Sequence, residues 1–229
     1  QSGGAAGDWQ RIDGGLSQMS VSGDGSHVWG VNVHGHIYYR NGVNGHWQQI
    51  DGGLSHVSVS DDGNHVWGIA SNDNIYYRNG VHGSWQQIDG GLRQVSVSGD
   101  GNHVWGVTAH GDIFYRNGVH GSWQQIDGGL SQVSVSGDGS HVWGVNVHGH
   151  IYYRDGVQGS WQQVPGRLKE VNVSSDGSHV WGISPDENIF YFSTEKIVVN
   201  PESDEEEGNT AGFTVDYGST SGVINEGDV

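Results

Sequence analysis

Cysteine is absent from the 229 residues, which excludes disulfides and thiolate metal or redox sites. Basic residues are scarce: nine Lys and Arg stand against 26 Asp and Glu, for a net charge of −17, so a nucleic-acid backbone is excluded as a partner. No apolar run approaches the length of a bilayer crossing, and membrane insertion is not expected. Only three prolines occur. Catalytic signatures are missing as well. The chain has no nucleophile elbow, no H-E-x-x-H, no phosphate-binding loop and no unique acid–base pair. The expectation is a non-enzyme without cofactor. The first residue is Gln1 rather than Met, which reads as a processed N-terminus and a secreted protein.

What the chain holds in quantity is glycine, with 41 residues, and aromatic surface, with ten Trp and nine Tyr. Much glycine and little proline point to many tight turns rather than long helices, and the aromatics carry large contact areas. They are also periodic. Residues 22–42, SGDGSHVWGVNVHGHIYYRNG, return at 136–156 with one change. Trp9, Trp47, Trp85, Trp123 and Trp161 follow one another every 38 residues, as do Trp29, Trp67, Trp105, Trp143 and Trp181. A fixed period of this length signals stacked units. The units run about 8–45, 46–83, 84–121, 122–159 and 160–193, within a repeat region of 1–193.

Each unit carries four short β-prone runs, for example WQQI (47–50), HVSVS (56–60), HVWGIA (65–70) and NIYYR (74–78). Gly, Asn and Asp in the intervening turns tolerate the backbone angles of hairpins. Four strands joined by short turns make an antiparallel meander. Runs apolar on both pleat faces need a neighbour on each side, which radial stacking into a β-propeller supplies. The fold class read from the sequence is all-β, a propeller of four-stranded antiparallel blades.

The run VSVSGDGSHVWGVNVHGHIYYR resembles the tectonin repeat, with one extra residue, usually His, before Val-Trp-Gly; the match covers about four-fifths of the chain. The resemblance implies a propeller that recognises carbohydrate, often on microbial surfaces, and commonly one of six blades. Residues 194–229 break the period. They hold nine acidic residues and one basic residue, Lys196, yet contain the β-prone runs KIVVN, GFTVDYG and GVIN. They read as a degenerate sixth blade, with a five-bladed ring and an acidic appendage as the alternative.

Strand alternation puts the DGG turns and the VHG turns on one rim, and the GDGSH turns and NGVHGSW connections on the other. The second rim gathers the candidate sugar-binding residues Arg40, Asn41 and Trp47; Arg78, Asn79 and Trp85; Arg116, Asn117 and Trp123; and Arg154, Asp155 and Trp161. Indole faces suit the C–H face of a pyranose, and guanidinium and amide groups suit its hydroxyls. The other rim, with Asn32, His34, His110, Asn146 and His148, is the alternative sugar-binding surface. The function expected is a multivalent lectin for glycans or lipopolysaccharide-like surfaces of microbes or cells, in innate defence or egg protection. A protein-interaction, structural or storage propeller is the alternative, and assembly into homo-oligomers is compatible with either.

Plainer roles compete at each position. The Trp of VWG reads as core, as do Ile37, Ile75, Ile113, Ile151 and Ile189. The Trp of WQQ is open between core and ligand platform. Arg40, Arg78, Arg116 and Arg154 have turn aspartates as alternative partners. Asp24, Asp62, Asp100, Asp138 and Asp176 precede Gly and read as turn residues. His34 with His36, and His148 with His150, supply two ligands each, too few for a zinc site, and no metal is expected. The sequon at Asn172 falls within a predicted strand.

Overall fold

The computed structural model describes residues 9–194, and the expected sixth blade lies outside them. Five blades stand around one axis, a five-bladed propeller. The first is β1 (Gln18–Val21), β2 (His27–Val31), β3 (Ile37–Asn41) and β4 (Gln48–Ile50). The second is β5 (His56–Val59), β6 (His65–Ile69), β7 (Asn74–Asn79) and β8 (Gln86–Gly91). The third is β9 (Gln94–Val97), β10 (His103–Val107), β11 (Ile113–Asn117) and β12 (Gln124–Ile126). The fourth is β13 (Gln132–Val135), β14 (His141–Val145), β15 (Ile151–Asp155) and β16 (Gln162–Val164). The fifth has three strands among the described residues, β17 (Glu170–Val173), β18 (His179–Ile183) and β19 (Ile189–Ser193).

All pairings are antiparallel and run in sequence order from the axis outward. The VSVS run is therefore the inner strand. The WQQ run that opens each sequence unit is the outer strand of the preceding blade, so blades are offset from sequence repeats by one strand.

The core lies between blades. Trp29, Val31, Ile37, Tyr39 and Ile50 of the first blade pack on Leu54, Val57, Val59 and Val66 of the second, and the same set recurs at the next two seams. A reduced version joins the fourth and fifth blades. Glycine makes room for the leucine of its own blade to lie over the sheet toward the seam, since a β-carbon at Gly68 would lie 2.4 Å from Leu54 Cδ1. Trp29, Trp67, Trp105 and Trp143 are buried, in line with their expected core role. Their Nε1–H groups find no acceptor, a cost that the packing has to exceed.

Two expected core residues depart from the pattern. Ile189 is 56% exposed and Trp181 45%, because nothing among the described residues packs on that face of the fifth blade. The opposing face of the first blade is equally bare, with Met19 at 58% and Val21 at 53%.

Inner strands carry unpaired backbone groups toward their neighbours, and side chains satisfy them. Gln18 Nε2 donates to Val57 O at 2.8 Å, while Val57 N–H donates to Gln18 Oε1 at 2.8 Å and Val59 N–H to Ser20 Oγ at 3.1 Å. Gln94 and Gln132 repeat the two-bond clasp on Val133 and Val171. These bonds cover an edge that would otherwise invite strand addition. His56 stands where the first, third and fourth blades have Gln and reaches only Val95 O, at 3.0 Å.

The turns behave as read. Asp24 Oδ1 accepts from Ser26 N–H at 2.9 Å and from Ser22 Oγ at 2.8 Å. The Ser26 N–H, then the Ser26 and Ser22 hydroxyls, hold the Asp24 pKa down at about 2. Whatever Asp24 contributes to stability is therefore present above about pH 4 and is lost as pH falls through about 2.

Burial pushes His56 below the ordinary histidine value of 6.5, outweighing the opposing effects of Val95 O and Glu170. The unfolded chain takes up that proton first, so stability falls as pH drops below 6.5 and is fully present above it. His56→Gln restores the two-bond clasp. Thermal melts from pH 7.5 to 5 should show a higher Tm and a flatter pH dependence for the variant.

Candidate functional site: the seams between blades

At the first seam the Arg78 guanidinium lies between two indoles, its Cζ 5.6 Å from the Trp29 ring and 5.1 Å from the Trp85 ring. Its Nε donates to Gly80 O and its Nη2 to Val81 O, both at 2.9 Å, and Nη1 stands 3.4 Å from Asp51 Oδ1. Trp85 Nε1 donates to Asp51 O at 2.7 Å. Arg116 repeats the stack with Trp67, Trp123 and Asp89, and Arg154 with Trp105, Trp161 and Asp127. Arg40 stacks on Trp47 and faces Asp13. In the fifth blade Phe192 replaces arginine and packs on Trp143, ring centres 5.6 Å apart.

These arginines are buried, so their competing structural role, pairing with turn aspartates, is the arrangement found. Burial draws the Arg154 pKa below its usual range, with Asp127 opposing. Asn41, Asn79, Asn117 and Asp155 stand exposed on the rim, away from the stacks. The Arg, Asn and Trp grouped by the sequence reading are thus separated: guanidinium inside, amide on the rim, indole half-buried across the outer seam.

The alternative rim contributes differently. Asn32 Oδ1 accepts from His34 N–H at 3.0 Å and from His36 N–H at 2.9 Å, and Asn146 holds His148 and His150 likewise. His110 N–H donates to Thr108 Oγ1 at 3.3 Å. At the third seam Asn146 and Trp161 face one cavity. With Tyr152, Ile113, Leu130 and the backbone of Gly128 and Gly129 they line this cavity of about 260 Å³. It joins one indole of the first candidate set to one amide of the second.

The His residues before Val-Trp are structural. His27 Nδ1 and Tyr39 Oη share a hydrogen bond at 3.0 Å, and a β-carbon at Gly63 of the next blade would lie 2.3 Å from the His27 ring. Among the described residues no three His, Asp or Glu side chains gather as a metal site.

The model of the Tectonin domain matches residues 1–80 and 23–210. The chain belongs to the tectonin family. No curated protein is similar to it. Among solved structures it is similar to the β-propeller domain of Cps50 (Swd1) from Myceliophteria thermophila, with a TM-score of 0.65 and 9% identity. The alignment covers 80% of this chain and 66% of that one, and at this identity the likeness concerns the fold alone.

Tyr152, with Tyr38 and Tyr76 at the same place, was absent from the sequence-based candidates. Its signal was available, because Tyr38, Tyr76 and Tyr152 each follow a buried isoleucine on β3, β7 and β15, and the pleat turns them to the opposite face of the blade, where a second seam lies. In this tectonin propeller the arginine stack is a fold element. Arg78→Ala should cost about 3 kcal/mol, since it strands buried carbonyls and a stacked indole pair. Urea denaturation of the variant checks this.

Proposed function

We propose that the protein is a non-catalytic carbohydrate-binding propeller whose seams each offer a weak site for a saccharide. The observation that carries this reading is the third-seam cavity, where Trp161, Tyr152 and Asn146 converge beside a glycine backbone. The Trp161 indole is held by Asp127 O at 2.8 Å and by Arg154 on one side, so little ordering is needed when a sugar ring stacks there. Asn146 and backbone groups supply directional partners for hydroxyls.

Trp47, Trp85 and Trp123 hold the same place at other seams, with Asn32, Ala70 and Thr108 in the position of Asn146. The Arg residues act by fixing these indoles, whereas Asn41, Asn79, Asn117 and Asp155 stand on the opposite rim and take no part in this site. Single sites of this kind bind at roughly millimolar to tens of micromolar, and several on one rigid body raise avidity by ~10²–10⁴ on a repetitive glycan surface. This suits a secreted lectin that engages microbial or cell-surface glycans or lipopolysaccharide-like surfaces.

Glycan-array binding with monosaccharide competition tests the reading, and an array without sugar-competable signal overturns it. In titrations with the best monosaccharide, Trp161→Ala and Asn146→Ala should each weaken the third-seam site at least about tenfold. Thr108→Asn should strengthen the second.

A further inference from the structure

Four glycines at the same place in successive repeats each seat a tryptophan. A β-carbon would lie 3.2 Å from the Trp47 indole at Gly14, 3.2 Å from Trp85 at Gly52, 3.3 Å from Trp123 at Gly90 and 3.2 Å from Trp161 at Gly128. Gly166 is the fifth of this series, and its φ of 115° matches the others, yet only Ile151 Cδ1 lies near it, at 3.3 Å. Its neighbours Pro165 and Arg167 line a mostly apolar cavity of about 210 Å³ together with Trp143, Ile151, Leu168, Phe190 and Phe192. One tryptophan of the same ladder has no seat: Trp9, 97% exposed.

We propose that residues 9–12, Trp-Gln-Arg-Ile, form the fourth strand of the fifth blade, with the Trp9 indole in the cavity over Gly166 and its Nε1–H on Pro165 O. The outer edge of β19 is unpaired among the described residues. The register follows from Ile151↔Val164, Tyr152↔Gln163 and Tyr153↔Gln162 one blade earlier, and sets Ile12 opposite Ile189, Arg11 opposite Phe190 and Gln10 opposite Tyr191. The adjoining anchor is already in place, for Trp47 Nε1 donates to Asp13 O at 2.7 Å and Arg40 Nη1 stands 3.4 Å from Asp13 Oδ1, as at the other seams.

Closure by this strand brings the two bare faces together. Met19 and Val21 of the first blade meet Trp181 and Ile189 of the fifth, the same residue places that bury one another at the four formed seams. Arg40 then gains Trp181 as its second indole, completing the stack that Arg78, Arg116 and Arg154 already have.

The test uses the full chain. Trp9→Ala should lower Tm by about 5–10 °C, as loss of a buried tryptophan does in a domain of this size. Arg11→Cys combined with Phe190→Cys, in a chain with no other cysteine, should oxidise to an intramolecular disulfide in a monomer. Val199→Asp should leave Tm unchanged. If Trp9→Ala leaves Tm unchanged while Val199→Asp lowers it, the C-terminal segment fills the seat and the proposal fails. A disulfide that forms only between chains, with a mass above the monomer, places the strand on a second copy and overturns it equally.

Discussion

A four-stranded sheet that is apolar on both faces has no way to bury itself within its own repeat. Every other feature follows from that constraint. The Trp–Val–Ile face of one blade finds the Leu–Val–Val face of the next, so each core belongs to a pair of blades. Gly68 and its equivalents leave room for the leucine of the same blade to lie over its sheet toward the seam, and the Gln and Ser clasps close the backbone edges that stacking leaves open. Stability of this kind sums over neighbouring pairs rather than concentrating at one centre.

The Trp–Arg–Trp stack shows how charge is accommodated within such a seam. A buried guanidinium is costly unless its donors are satisfied. Here the loop carbonyls of Gly80 and Val81 accept its hydrogens, the rings face its planes, and an exposed aspartate stands at the outer nitrogen. The stack holds the outer indole at a set angle across the seam. The platform proposed for a ligand is thus made of the same residues that hold the seam.

The strands, turns and sidedness of the five repeats were legible in the sequence because a 38-residue period repeats both pleat alternation and turn glycines without a slip, whereas the reading favoured a sixth blade in residues 194–229 over the five-bladed ring that is found. The offset of blades from repeats was hidden, since periodicity cannot say where in a cycle a sheet begins. The candidate arginines were chosen for their chemistry, but Arg78 lies inward because the pleat places it on the seam face and the following loop folds its carbonyls over it. Ile189 and Trp181 have the letters of core residues, and burial depends on a neighbour that letters within a repeat do not specify. Tyr152 was missed because a tyrosine one residue from a buried one reads as filler until the adjacent blade is placed beside it.

At the seam cavity, the residues that hold the fold and those that vary are different residues. Gly128, Trp161 and Arg154 have counterparts unchanged in the two preceding units, whereas the position of Asn146 is Asn32, Ala70, Thr108 and Ser184 elsewhere. That turn residue sits at the mouth of the seam and carries no packing duty shared by all blades. At Asn32, Thr108, Asn146 and Ser184 the side-chain oxygen accepts backbone N–H groups of its own turn, so the position exchanges among short polar residues while the scaffold stays uniform, and the second blade, with Ala70, is the one without this cap. On the proposed reading, changes at this one position per blade would give a single ring sites of differing preference.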